Sequence, residues 1–138
     1  MKSNSLSSNL EKQNLMMRTL LLIGLGGGIG SILRYLTSVV IQKYYATVFP
    51  LATLVVNILG CLLIGIIMGL LEKNQVNDSA MKWLLATGFC GGFTTFSAFG
   101  YENIRLIQNG SILLALVYIS ASIILGLGSV WLGFVLVK

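Results

Sequence analysis

The chain has 138 residues, of which 56% are hydrophobic, nine are Lys or Arg, four are Asp or Glu and none is histidine. Soluble domains carry about a quarter charged residues, so this composition excludes an ordinary water-soluble fold and points to a bilayer. Without histidine, His-based acid–base catalysis and most metal sites are excluded. The five excess positive charges are scattered along the chain and form no basic face of the kind that grips nucleic acid.

Residues 1–14 are polar, rich in Ser and Asn, and lack the apolar core of a cleavable signal peptide. They read as a disordered tail ahead of a single membrane domain, 15–138. The first apolar segment, 15–41, carries a glycine cluster, Gly24, Gly26, Gly27, Gly28 and Gly30, followed by Arg34. The glycines fail the spacing of a dinucleotide-binding loop and have no strand–helix–strand context. Close helix packing through the pairs Gly24/Gly28 and Gly26/Gly30 is the simpler account. Arg34, flanked by apolar residues, is costly at mid-membrane, so it either anchors at the interface or attracts an anion; the two roles are compatible.

The second segment, 51–71, contains no charge and follows Pro50, the only proline, which suits the first turn of a helix. Thr53 and Asn57 stand four residues apart and share one helical face. The Asn57 amide offers two donors; an interhelical hydrogen bond is the bland use for it and a polar pathway the functional one. Cys61 here and Cys90 in the third segment read as small buried hydrophobes, since neither a disulfide framework nor a CxxC pair is present.

The third segment, 83–101, is also uncharged but holds Gly88-Phe89-Cys90-Gly91-Gly92-Phe93-Thr94-Thr95-Phe96-Ser97-Ala98-Phe99. Adjacent glycines invite the backbone to unwind, and unwound backbone at membrane depth survives only when it lines a cavity or is buried in protein. Phe96 and Phe99 share a face; they serve as packing or present positive ring edges to an anion. The fourth segment, 111–137, places the Tyr118 and Ser122 hydroxyls at i, i+4, as a polar track or as groups bonding their own backbone. Four segments long enough to cross about 30 Å of hydrocarbon predict an all-α integral membrane protein with four transmembrane helices, the third broken mid-membrane.

An even number of spans puts Lys2, Lys12, Arg18, Lys73, Lys82 and Lys138 on one side and Lys43 and Arg105 on the other. The positive-inside rule then favours cytoplasmic termini, by a margin that leaves room for insertion both ways. Four helices with one broken cannot wrap a wide pore alone, and a two-fold dimer is the simplest remedy.

The blocks GGGIGSILRY (26–35), PLATLVVNILGCLLIG (50–65) and GFCGGFTTFSAF (88–99) resemble, in order, those of the Fluc or CrcB family of bacterial fluoride channels. The resemblance covers about residues 20–137. Ser31, Ala52 and Ala98 depart from the residues most usual there.

The resemblance implies antiparallel, dual-topology homodimers in the bacterial inner membrane. They would carry two fluoride pores that export F− passively and relieve its toxicity. It implies that Asn57 is the pore-lining amide and that Phe96 and Phe99 turn their edges to fluoride. Thr95 and Ser97 would flank those rings, and Tyr118 and Ser122, with Thr53, would complete the polar track. Gly91 and Thr94 would offer backbone carbonyls to a structural Na+ at the dimer centre, and Arg34 matches the basic residue that closes the first block. The rival exporter of cationic drugs needs a carboxylate inside the membrane, and Glu102 is expected just beyond the third span. A non-conducting accessory subunit is disfavoured because both the Asn57 and the Phe96/Phe99 elements are present. No enzymatic role is expected, because Ser97 has no base beside it.

Overall fold

The computed structural model describes residues 2–45, 47–74 and 79–138, and among these every regular element is a helix. Helix α1 is Lys2–Tyr44 and α2 is Leu51–Lys73. Helix α3 (79–93) joins a turn at Ser79–Met81, a π-helical stretch Lys82–Cys90 and a last α turn Gly91–Phe93. Helix α4 is Phe96–Gln108 and α5 is Ile112–Val137.

Three stretches are long and apolar enough to cross a membrane among the described residues: Ser8–Tyr44, Leu51–Lys73 and Ile112–Val137. The third apolar segment differs because its helix is divided between α3 and α4. Many large apolar side chains face outward, Leu113, Ile124 and Trp131 among them. Such a surface suits lipid and would be a liability in water.

Three expectations are corrected. The segment expected to be a disordered tail is helical from Lys2 onward, with Met1 outside the described residues. The first 23 residues contain neither glycine nor proline, and Leu6, Leu10, Glu11, Lys12 and Gln13 are good helix formers continuous with the span. At 43 residues, α1 is about 65 Å long and far outruns the hydrocarbon.

Second, the polar stretch beginning at Glu102 is not a break between spans. Helix α4 continues through it to Gln108, burying Asn103 and Leu106. It stops at Gly110, whose φ of +77° suits glycine alone. The Gly110 N–H bonds the Ile107 carbonyl at 3.0 Å and the Ser111 N–H bonds that of Leu106 at 2.9 Å, a Schellman closure.

Third, the glycines of the third segment do not unwind. Gly91 is helical, with φ −63° and ψ −37°. The extended residues are Thr94 (φ −82°, ψ 159°) and Thr95 (φ −150°, ψ 116°). Gly88 and Gly92 instead let α3 lie directly on α1, where a Cβ on Gly26 would strike the Leu84 carbonyl and one on Gly92 that of Gly27. Of the two expected pairs in α1, Gly26/Gly30 makes the contact, whereas Gly24 and Gly28 face open space.

Helix α2 packs on α5 in the same backbone-to-backbone way, Gly65 against Val130 and Gly133 against Leu62. A compact core of Leu54, Leu106, Ala115 and Tyr118, flanked by Phe49, Ile58, Phe99 and Leu114, ties α2, α4 and α5 together beside the break.

Candidate functional site in the broken helix

The site is built around two residues of extended backbone. Unwinding a helix in an apolar setting orphans amide and carbonyl groups, each of which needs a partner. Side chains supply most of them. The Thr95 hydroxyl accepts the Ala98 N–H at 3.2 Å and so caps α4. Asn57, from α2, takes both backbone groups of Thr95: its Nδ2 donates to the Thr95 carbonyl at 3.1 Å and its Oδ1 accepts the Thr95 N–H at 2.8 Å. The Thr94 N–H and hydroxyl both bond the Cys90 carbonyl, at 3.0 and 2.9 Å, and Ser31 reaches from α1 to the Gly92 carbonyl at 3.3 Å.

These diversions have a consequence for two carbonyls. In an uninterrupted helix Gly91 would accept from Thr95 N–H and Thr94 from Ala98 N–H. Here the first donor goes to Asn57 and the second to the Thr95 hydroxyl. The carbonyl oxygens of Gly91 and Thr94 therefore lose their helical donors.

A cavity of about 490 Å³ opens beside the break, lined by Asn57, Thr94, Thr95, Phe96, Phe99 and Ser122 among others. Five of the expected pore residues, Asn57, Thr95, Phe96, Phe99 and Ser122, thus meet around one space, together with Gly91 and Thr94. The Ser122 hydroxyl is buried and has no hydrogen-bond partner among the described residues. Phe96 is 83% exposed and stands at the rim, its ring 5.6 Å from that of Phe99. Phe99 in turn lies 5.1 Å from Tyr118, and Phe49 meets Tyr118 edge-on at 5.5 Å, so four rings form a row leading inward. Ser97 is exposed and touches the Thr95 hydroxyl at 3.2 Å.

Thr53 and Tyr118 are drawn together from another direction. Both are buried, and both donate to Glu102: the Thr53 hydroxyl to one carboxylate oxygen at 2.7 Å and the Tyr118 hydroxyl to the other at 2.9 Å. Glu102 is the functional candidate that sequence reasoning missed, because the end of the apolar run was taken as the end of the helix. The available signal was periodic, since Glu102 follows Phe99 by three residues, on the same side of a continuing helix. Glu102 also reaches a second cavity of about 580 Å³ below the α1–α2 connection, with Gln42, Tyr45 and Phe49.

Arg34 is set apart from the Phe96–Phe99 cavity. It borders a smaller space of about 270 Å³ with Ser31, Tyr35, Ser38, Thr53 and Thr95, a wall of hydroxyls with no carboxylate. Thr95 lines both this space and the larger cavity.

An apolar, outward-facing bundle of helices that holds neutral hydrogen-bond donors around a capped break defines a multi-pass membrane protein. Its family follows from comparison: residues 21–134 match the model for CrcB-like protein, Camphor Resistance (CrcB), and the chain belongs to that family. It is 55% identical over 122 residues to the fluoride-specific ion channel FluC of Flavobacterium psychrophilum, covering 88% of this chain and 98% of that protein. The FluC proteins of Azobacteroides pseudotrichonymphae (46% identical, 89% and 98% covered) and Gloeothece citriformis (45% identical, 88% and 98% covered) are similar over the same extent. All three relatives are named as ion channels, a function that is not enzymatic.

Proposed function

We propose that this chain is a fluoride-specific channel that conducts F− passively across the bacterial inner membrane and so lowers cytoplasmic fluoride. The observation that carries the proposal is the Ser122 hydroxyl, buried without a partner in the wall that also bears Asn57, Phe96 and Phe99. A buried polar group left unpaired costs about 1–3 kcal/mol, a cost that an ion passing through the cavity relieves. Fluoride is small and strongly hydrated, so close donors must replace its water. Neutral hydroxyls and amides and the positive edges of Phe96 and Phe99 do so without the grip of a full charge, which would hold the ion too long for conduction.

The channel domain is 15–138, with α3 and α4 together serving as the third of four spans. Phe96 is too exposed to complete a dry site within one chain, and an antiparallel homodimer of dual topology supplies a second copy to cover it, giving two pores. Such a dimer is an inverted repeat made from two chains. The Gly91 and Thr94 carbonyls, deprived of their helical donors, fit a hard cation, which takes oxygen ligands. We assign them to a structural Na+ shared by the two copies, where its charge offsets those carbonyl dipoles. Arg34 and its hydroxyl-lined space draw anions toward the membrane interface.

Purified protein in liposomes tests the proposal by fluoride efflux, with chloride measured in parallel. Fluoride flux well above chloride flux is expected. Equal rates, or no flux of either anion, would remove the channel reading.

A further inference from the structure

Thr94 and Thr95, the two extended residues of the break, are both held by one face of α2, on which Asn57 and Gly60 stand three residues apart. Asn57 takes the backbone of Thr95. Gly60 is buried and receives the side chain of Thr94, so that a Cβ added there would collide with the Thr94 methyl group. The other branch of that side chain is fixed as well, because the Thr94 hydroxyl donates to the Cys90 carbonyl at 2.9 Å. With methyl and hydroxyl both seated, this β-branched side chain keeps a single rotamer.

The direction of one backbone group follows. The Thr94 carbonyl and the Thr95 N–H belong to the same planar trans peptide and point opposite ways. The N–H is donated to Asn57 Oδ1 at 2.8 Å, toward α2, so the Thr94 carbonyl points away from α2. We propose that Asn57 and Gly60 are positioning residues for the cation assigned to that carbonyl, a clamp that sets the plane of the Thr94–Thr95 peptide. This role presupposes that the Thr94 carbonyl holds a cation; it does not presuppose fluoride conduction. A cation on the carbonyl oxygen polarises the peptide and strengthens its N–H bond to Asn57, so the cavity wall and the cation site share one peptide group. The clamp also implies a specific rescue. An alanine at position 60 has no room while Thr94 keeps its methyl, whereas the Phe93 ring and Thr94 Cβ stand at 3.4 and 3.6 Å, ordinary contact distances. Thr94→Ser removes the obstructing methyl and keeps both the hydroxyl and the carbonyl.

The test titrates the purified full chain in detergent with NaCl against N-methyl-D-glucamine chloride at constant ionic strength and reads the unfolding midpoint. A cation bound by the folded protein raises the midpoint by mass action. The Na+ concentration at half of that rise reports affinity whatever the starting stability. Losing a group that orients a metal ligand weakens binding about 10–100-fold. Gly60→Ala and Asn57→Ala should each need about tenfold more Na+ or beyond, and Gly60→Ala/Thr94→Ser should need less than Gly60→Ala. A half-point equal to that of wild type in either single variant, or no recovery in the double variant, would overturn the clamp. Should Gly60→Ala not fold, Asn57→Ala alone decides. A wild-type midpoint indifferent to Na+ defeats the cation reading instead, and the clamp with it, while fluoride efflux judges the channel separately.

Discussion

Asn57 holds Thr95 by both of its backbone groups, donating to the carbonyl at 3.1 Å and accepting the N–H at 2.8 Å. An amide is the side chain that can do both at once, since it carries a donor and an acceptor side by side. Of the two uses open to this amide, the interhelical hydrogen bond is the one that fixes the shape of the break, and one amide hydrogen remains beside the cavity it lines.

Replacing Asn57 should harm the break before it harms the ion. Asn57→Ala leaves the Thr95 N–H and carbonyl unpaired, at about 1–3 kcal/mol per buried group. Asn57→Asp keeps the acceptor but sets a second oxygen against the Thr95 carbonyl and adds negative charge beside an anion path. Both variants should lower the unfolding midpoint in detergent and cut fluoride flux by about tenfold or more, one factor of ten per 1.4 kcal/mol. Wild-type flux from Asn57→Asp would contradict a place for this residue at the path.

Ser122→Ala separates stability from conduction. The hydroxyl has no partner among the described residues, so deleting it should leave the unfolding midpoint unchanged or raise it. Fluoride flux should nonetheless fall, because the cavity loses a donor. Unchanged flux in this variant would mean that the hydroxyl takes no part in the path.

The two phenylalanines should respond differently. Phe99 touches both Phe96 and Tyr118, and aromatic pairs of this kind contribute about 0.5–1.5 kcal/mol each beyond burial. Phe99→Ile should therefore lower both thermal stability and flux. Phe96 is 83% exposed, so Phe96→Ile should lower flux with little change in the stability of the folded chain. If size-exclusion chromatography shows that only assembly suffers, the rings are packing residues.

Glu102 should behave as the hub of a small network. Glu102→Ala strands the Thr53 and Tyr118 hydroxyls, whereas Glu102→Gln keeps one acceptor and both shapes. Thermal unfolding should show the alanine variant losing more stability than the glutamine variant. Tyr118→Phe combined with Glu102→Gln should cost less than the sum of the two, as residues in one hydrogen-bond network do.

The glycines of α1 should divide by face. Gly26→Ala and Gly30→Ala push a Cβ into the α3 backbone, which has no flexible end to give way, so both should destabilise the fold. Gly24→Ala and Gly28→Ala meet open space and should be neutral or gain from the better helix propensity of alanine, worth about 1 kcal/mol. Unfolding midpoints of the four variants make the comparison directly.

The apolar segments at 51–71 and 111–137 were legible because uninterrupted hydrophobicity over a bilayer's width leaves few alternatives to a helix. The aromatic and hydroxyl positions were legible as well, since Phe96 with Phe99 and Tyr118 with Ser122 follow the helical period. That the third segment would break was legible from its run of glycines and threonines, although the glycines stay helical and it is Thr94 and Thr95 that leave the helix.

Where it breaks was decided by tertiary contacts. Gly92 is needed against Gly27 and remains helical, while Asn57, 38 residues from Thr95 in sequence, supplies the bonds that let Thr95 leave the helix. The same holds for Glu102, whose two hydroxyl partners come from α2 and α5. Hydrophobic period and length are properties of a segment and can be read along it. The pairing of a buried polar group depends on which distant donor packing brings within about 3 Å, and that exists only once the helices have met.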